Sequence, residues 1–183
     1  MMKALKLTLT VLSVAVVGAM AGCSTNSTKA PDVSNSLRTS LDQAGFKDVS
    51  VSQDRDKGVV TLGGHVPAEG DKAQAESIAK SLAAPEVVSD QIEVLPPGAE
   101  HEAKDVNSDL DKGIEHNLDA ALIENKLHDG VSYSVKNQVV TLTGEVDSQG
   151  KRARAQNVAT AVLNVQQVVN ELQVKRQKAS SSN

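Results

Sequence analysis

An eight-residue stretch occurs twice in this chain of 183 residues, and the duplication restricts the fold more than any other feature. Val59-Val60-Thr61-Leu62-Gly63-Gly64-His65-Val66 returns as Val139-Val140-Thr141-Leu142-Thr143-Gly144-Glu145-Val146, an offset of 80 positions. The same offset reads without a gap from Val51/Val131 to Val94/Val174. Within it Gly70/Gly150, Ala73/Ala153, Ala75/Ala155, Ala79/Ala159 and Val88/Val168 are identical, and Ile78/Val158 and Ile92/Leu172 stay aliphatic. Small, aliphatic and glycine positions held in register over such a span mark a tandem duplication, so the chain holds two small units. Units of this size sit near the lower limit for a self-sufficient core. Phe46 and Tyr133 are the only aromatic residues, so both cores must be built from Val, Leu, Ile and Ala.

Within the first unit, Pro31-Asp32 opens a helical pattern with Val33, Leu37, Leu41 and Ala44 on one face and Gly45 as its stop. Alternation over residues 48–53 and again over Val59 to Gly63, across the charged turn Asp54 to Gly58, predicts a hairpin. A second helix is expected over residues 67–84, with Ala75, Ile78, Ala79 and Leu82 as its apolar stripe and Pro85 as its end. Val88, Ile92 and Val94 alternate in a third strand running to Leu95 and closed by Pro96-Pro97-Gly98. The second unit repeats the plan, with strands at 131–136, 139–144 and 168–175 and a helix at about 148–163. Its first helix is longer, because Val106, Leu110, Ile114, Leu118 and Leu122 recur every four residues, and part of that stripe is free to pack against the first unit.

The expected fold class is therefore α+β: two tandem αββαβ units, each a small three-stranded mixed sheet with two helices on one face and a right-handed crossover. The units span 31–95 and 106–175, joined by a linker at 96–105 and followed by a polar tail, 176–183, expected to be disordered. The second face of each sheet must be covered by the other unit or by a partner.

The N-terminus carries an export pattern. Lys3 and Lys6 precede an apolar run from Leu7 to Met20 that is too short and too rich in small residues to suit a membrane span. It ends in Met20-Ala21-Gly22-Cys23, which resembles the bacterial lipobox, so residues 1–22 read as a lipoprotein signal peptide and Cys23 as the lipidated residue. Two or three acyl chains make a stable anchor where one does not. Residues 23–30 are polar, as in a flexible tether. Ser24, rather than Asp, follows the cysteine, which by resemblance to lipoproteins of Gram-negative bacteria implies passage to the inner leaflet of the outer membrane, facing the periplasm.

The order of first helix, aliphatic strand, Val-Val-Thr-Leu-x-Gly-x-Val, a helix holding Ala-x-x-(Ile/Val)-Ala, and Val-x-x-x-(Ile/Leu)-x-Val resembles the BON domain, over residues 33–95 and 114–175. The sequence is similar in detail to osmotically inducible periplasmic BON proteins and in layout to tandem-BON envelope lipoproteins. The resemblance implies a non-catalytic protein that attaches to membrane phospholipids, chiefly through the second domain, and supports envelope integrity under stress. The shared positions are packing positions, so no individual functional residue comes with it.

Charge differs between the units. Residues 31–99 carry a net −5, residues 100–130 a net −6 and residues 131–183 a net +4. The basic end holds two clusters, Lys151, Arg152 and Arg154 at the start of a helix and Lys175, Arg176 and Lys178 after the last strand. Helix-start amides favour an anion and arginine matches phosphate geometry, so these residues are candidates for anionic headgroup binding. They also read as a solvated face, since cations at a helix start oppose its dipole and the first unit has Asp71 and Lys72 at the matching positions. An exposed sheet face or the long helix docking an envelope protein is the alternative function.

No active site is legible. Cys23 is assigned to acylation, and His65, His101, His116 and His128 lack partners at a catalytic or metal-ligand spacing. Gly63-Gly64 has no Gly-Lys-Ser/Thr after it and is not a phosphate loop. Nucleic acid is a poor partner for a mostly acidic chain without a stacking platform, and no cofactor is expected. Gly64 and Gly144 are assigned to backbone geometry at the strand ends.

Overall fold

The computed structural model describes residues 29–175. The first unit runs α1 (Ser34–Gln43), β1 (Val49–Asp54), β2 (Val59–Val66), α2 (Glu69–Ala83), β3 (Val87–Asp90) and β4 (Glu93–Val94). The second runs α3 (Glu100–Glu124), β5 (Val131–Lys136), β6 (Val139–Val146), α4 (Gln149–Thr160), β7 (Gln167–Asn170) and β8 (Gln173–Val174). Both are mixed α+β units in tandem. β2 pairs antiparallel with β1 and parallel with β3 and β4, and β6 does the same with β5, β7 and β8.

The third strand of each unit is therefore broken rather than continuous. The break follows from one side chain: Asp90 Oδ1 accepts the Ile92 N–H at 3.1 Å, and Asn170 Oδ1 accepts the Leu172 N–H at 3.2 Å. An Asp or Asn that bonds its own backbone two residues on turns the chain out of the ladder. Ile92 and Leu172 are thereby fully turned into the cores.

The helix-side face of β2 (Val60, Leu62, Val66) closes on Leu37 and Leu41 of α1 and on Ala75, Ala79 and Ala83 of α2. In the second unit Val140, Leu142 and Val146 meet Ile114, Leu118 and Leu122 of α3 and Ala155 and Ala159 of α4. Alanine at the buried helix positions lets the helix backbone approach the sheet closely. Leu82, expected in that stripe, is exposed, and Ala83 takes the inward position.

The repeat is less uniform than its sequence suggests. Val49 pairs with Gly64 and Val131 with Gly144, so the first strands match at an offset of 82, and Val51 corresponds to Tyr133 rather than to Val131. The cause is the hairpin loop. Four residues join β1 to β2, whereas Asn137 and Gln138 alone join β5 to β6, with φ of 49° and 64°. Paired positive φ values in a two-residue loop are those of a type I′ turn, whose twist suits a hairpin. The offset of 80 holds from Val59/Val139 onward.

The long helix also departs from expectation. It begins at Glu100, inside the segment read as a linker, with acidic Glu100 and Glu102 in its first turn where a helix favours negative charge. Glu100 Oε1 also accepts the Gly98 N–H at 3.0 Å. Ile114, Leu118 and Leu122 are buried, but Val106 is 57% exposed. Contact with the first unit is polar instead, through Asn107 Nδ2 donating to Glu93 Oε1 at 3.1 Å.

The outer sheet faces are largely polar, with Ser50, Ser52, Ser132 and Ser134 exposed. They meet through a small cluster of Val59, Val139 and Val169. Around it Lys57 Nζ reaches Glu171 Oε2 at 2.5 Å, and Asn137 Nδ2 donates to Gln91 O at 2.7 Å. The Gln167 amide donates to Val88 O at 2.6 Å and accepts the Asp90 N–H at 2.9 Å, filling the place of a further strand on the β3 edge. Each unit thus covers part of the other's sheet.

Candidate headgroup-binding groove

The start of α4 is electrostatically unlike the start of α2. α2 has Glu69 and Asp71 in its first turn, whereas α4 has no acid there. Ser148 caps α4, its side chain accepting the Lys151 N–H at 3.3 Å. The remaining amides of the first turn and the helix dipole leave this end positive.

A groove of about 490 Å3 opens beside it. Lys126, Lys151 and Arg154 line it, with Asn125, Ser148 and Asp147. Lys151 Nζ donates to Asp129 O at 3.2 Å and Arg154 Nη2 to Asn125 O at 3.3 Å. These single bonds to backbone carbonyls orient both cations while leaving most of their donors unused. Adjoining it through Asn125 is a second groove of about 330 Å3 between α3 and α4, lined by Ala121, Val158, Ala161, Val162 and Leu163. Leu163 is 75% exposed at its rim. A basic groove and an apolar one thus share one surface of the second unit.

The basic residues named from sequence do not all gather there. Lys151 and Arg154 do. Arg152 does not: its guanidinium donates to Leu172 O at 2.9 Å and to Asn170 O at 3.0 Å, holding the break between β7 and β8. It is a structural cation, because those carbonyls are released from the ladder by the break and need a donor. Lys175 is exposed beyond β8, its N–H bonded to Val146 O at 2.8 Å, near this end of the unit but outside the groove lining. Cys23, Arg176 and Lys178 lie outside the described residues. Lys126 was missed, since a single lysine after a helix reads as an ordinary C-terminal cation.

Gly64 and Gly144 have φ of +87° and +114°. A Cβ on Gly64 would fall inside the contact radius of the Asp48 carbonyl oxygen, and one on Gly144 would lie 2.5 Å from Gly130 O. Both glycines are required by backbone conformation and by close approach of the neighbouring chain. Of the histidines, His128 Nε2 lies 3.5 Å from Asp119, an ion pair when the imidazole is protonated. The pKa of the half-buried Tyr133 is raised by burial and then by the negative charge of Asp119. Among the described residues no three His, Cys, Asp or Glu side chains gather as a metal site, and no helix is long and apolar enough to cross a membrane.

Comparison with known proteins gives a consistent family. Residues 31–96 and 110–176 each match the BON domain. Osmotically-inducible protein Y of Escherichia coli (strain K12) is 31% identical over 137 residues, spanning 74% of this chain and 67% of that protein. Among solved structures, the C-terminal domain of CdsD, the structural protein of the Type III secretion system of Chlamydia trachomatis, aligns at 14% identity with a TM-score of 0.34, over 79% of this chain and 98% of that one. A second CdsD structure aligns with a TM-score of 0.35 over 79% of this chain and 93% of that one. Likeness at that level carries nothing further.

Proposed function

The chain belongs to the BON-domain family, and we propose that it is a non-catalytic envelope lipoprotein whose second unit binds anionic phospholipid headgroups. Cys23 supplies the lipid anchor in this reading, which places the protein at the outer membrane facing the periplasm. The observation that carries it is the groove at the start of α4, where Lys126, Lys151 and Arg154 surround helix amides with no acid in the first turn. A phosphodiester is the anion such a site suits: helix amides take its oxygens and Arg154 offers planar paired donors. The apolar groove and Leu163 alongside give the glycerol and upper acyl carbons a surface to meet.

Each basic residue near an anionic bilayer contributes about 1 kcal/mol, so the three together contribute roughly 3 kcal/mol, on the order of a hundredfold in affinity. That is weak for a free protein and ample for one already held at the membrane by acyl chains. Vesicle flotation of the chain without its acylated cysteine tests the reading. Binding is expected with phosphatidylglycerol-containing vesicles, absent with phosphatidylcholine alone, and lost on reversal of Lys126, Lys151 and Arg154. Binding indifferent both to anionic lipid and to those reversals refutes it. Docking of another envelope protein is the competing function. Its support is the exposed sheet faces and Val106, and pull-down against vesicle binding separates the two.

A further inference from the structure

The cleft between the two units holds a different site, independent of the α4 groove. It is a cavity of about 380 Å3 flanked by Glu69, Lys72, Glu76 and Lys80 of α2, with Asp90 from the end of β3 and Gln166 from the second unit. Asp90 is only 7% exposed. Its Oδ1 accepts the Ile92 N–H, while Oδ2 has no protein partner among the described residues. Among the described residues no fully buried side-chain oxygen lacks a partner, so Oδ2 keeps some solvent access, and Asp90 lines the cavity. A carboxylate largely withdrawn from bulk water, with one oxygen unmet by protein, gains from an opposite charge placed beside that oxygen. Burial raises the Asp90 pKa, and Glu76 adds to the rise, against the Ile92 bond and the charges of Lys72 and Lys80.

The second unit shows what a satisfied version looks like. Asn170, Arg152 and Gln156 stand where the first unit has Asp90, Lys72 and Glu76. There Asn170 Nδ2 donates to Arg152 O at 3.2 Å and to Gln156 Oε1 at 3.1 Å, and Arg152 donates back to the broken strand. The network closes on itself. In the first unit Lys80 is taken by Glu76 at 2.6 Å, and Lys72 lines the cavity with no ion pair or side-chain hydrogen bond among the described residues. Lys72, Asp90 and Glu69 thus line one cavity with no direct ion pair among the described residues, although the Lys72 and Lys80 charges act on Asp90 through space.

We infer that this cleft binds a small zwitterion, its ammonium group on Asp90 and Glu69 and its anionic group on Lys72. Glu76 and Lys80 neutralise each other, which leaves Asp90 and Glu69 to hold an ammonium group and Lys72 to hold an anionic one. The cavity is in the size range of small-molecule pockets. The face contributed by the second unit, Val139, Gln166 and Gln167, is uncharged, so α2 and Asp90 set the electrostatics.

The test is titration of the full chain with γ-aminobutyrate, followed through backbone amide resonances, with ethylammonium and butyrate as the two halves. Saturable shifts at Lys72, Asp90 and Gln167 are expected with γ-aminobutyrate at millimolar concentration. Asp90→Asn copies the residue of the second unit and so keeps the fold, as a thermal melt verifies. Asp90→Asn and Lys72→Ala are each expected to weaken binding about tenfold or more, the size of a lost charged hydrogen bond. Affinity should also fall as pH is lowered through the raised Asp90 titration. The inference is overturned if no probe gives saturable shifts, if either half binds as tightly as the zwitterion, or if binding survives Asp90→Asn.

Discussion

Replacing Asp111 with alanine removes the carboxylate that fastens the long helix to the hairpin of its own unit. Asp111 Oδ2 accepts the Asn137 N–H at 2.8 Å and Oδ1 the Gln138 N–H at 2.7 Å. Both donors belong to the type I′ turn, where non-glycine residues sit at positive φ at a cost of about 1–2 kcal/mol each. A hydrogen bond to a charged group contributes about 1.5–3 kcal/mol, but the pair is half-buried and water replaces part of the loss, so roughly 3 kcal/mol is expected for both together. Alanine is the better helix former by about 0.5 kcal/mol, so the measured loss slightly understates the contact. For a chain of this length the melting temperature should fall by about 6–12 °C. Urea unfolding gives the global value, and amide hydrogen exchange at Asn137 and Gln138 the local one. Asp111→Asn, which keeps one acceptor, should lose about half as much. A global loss under about 0.5 kcal/mol, the scatter of ordinary surface changes, with unchanged exchange at the two amides would refute the reasoning.

Gly64→Ala and Gly144→Ala should each cost several kcal/mol in urea unfolding, on the order of an overpacked, strained site, whereas a Cβ at Gly70 or Gly150 meets nothing within 4 Å. Alanine there should stabilise by about 0.5–1 kcal/mol. A Gly144→Ala chain of unchanged stability that no longer binds vesicles would overturn the structural assignment. The Lys57 pKa is raised, chiefly by its hydrogen bond to Glu171, so the ammonium is favoured in the folded state. That contribution is complete below the ordinary lysine value and disappears as pH rises through the folded one. The stability gap between the parent and Lys57→Met should therefore close in alkaline solution, and shrink with salt because the lysine is partly exposed. Asp90 has a raised pKa as well, here because burial disfavours its charge, so its contribution is most favourable in acid and is lost as pH rises. Asp90→Asn should accordingly stabilise the chain at neutral pH, and a lower thermal midpoint would contradict this.

Residues that signal through periodicity were legible in the sequence, and residues that act through a single side-chain bond were not. Leu37 and Leu41, or Ile114, Leu118 and Leu122, recur at helical spacing because one face of a helix is buried. The break in the third strands depends on Asp90 and Asn170 each bonding backbone two residues ahead, and the alternation around them hides it. The shift in register at the first strands came from loop length, to which a pattern of valines spaced by two is nearly blind. At the candidate groove, clustering by sequence collected Lys151, Arg152 and Arg154 together. On a helix, neighbours point to different sides, and Arg152 is turned toward the sheet. Lys126 arrives from another element, and no local pattern announces a residue brought in by the fold.

The contacts between the units are reciprocal. The hairpin turn of the first unit sends Lys57 to Glu171 in the broken strand of the second, and the turn of the second sends Asn137 to Gln91 in the broken strand of the first. Gln91 and Glu171 are equivalent positions, and so are Val59 and Val139, which pack in one cluster. Contacts that swap roles in this way are those of an isologous pair, with the same patch of each copy facing the other. A shared patch ties those positions of both copies to one geometry, while the helix starts lie outside the reciprocal set. There the copies differ in charge, Glu69-Gly70-Asp71-Lys72 against Gln149-Gly150-Lys151-Arg152. The doubled Val-Val-Thr-Leu strand therefore builds both cores and, through its first valine, joins them. The residues at the helix starts distinguish an acidic-rimmed cleft in one copy from a basic groove in the other.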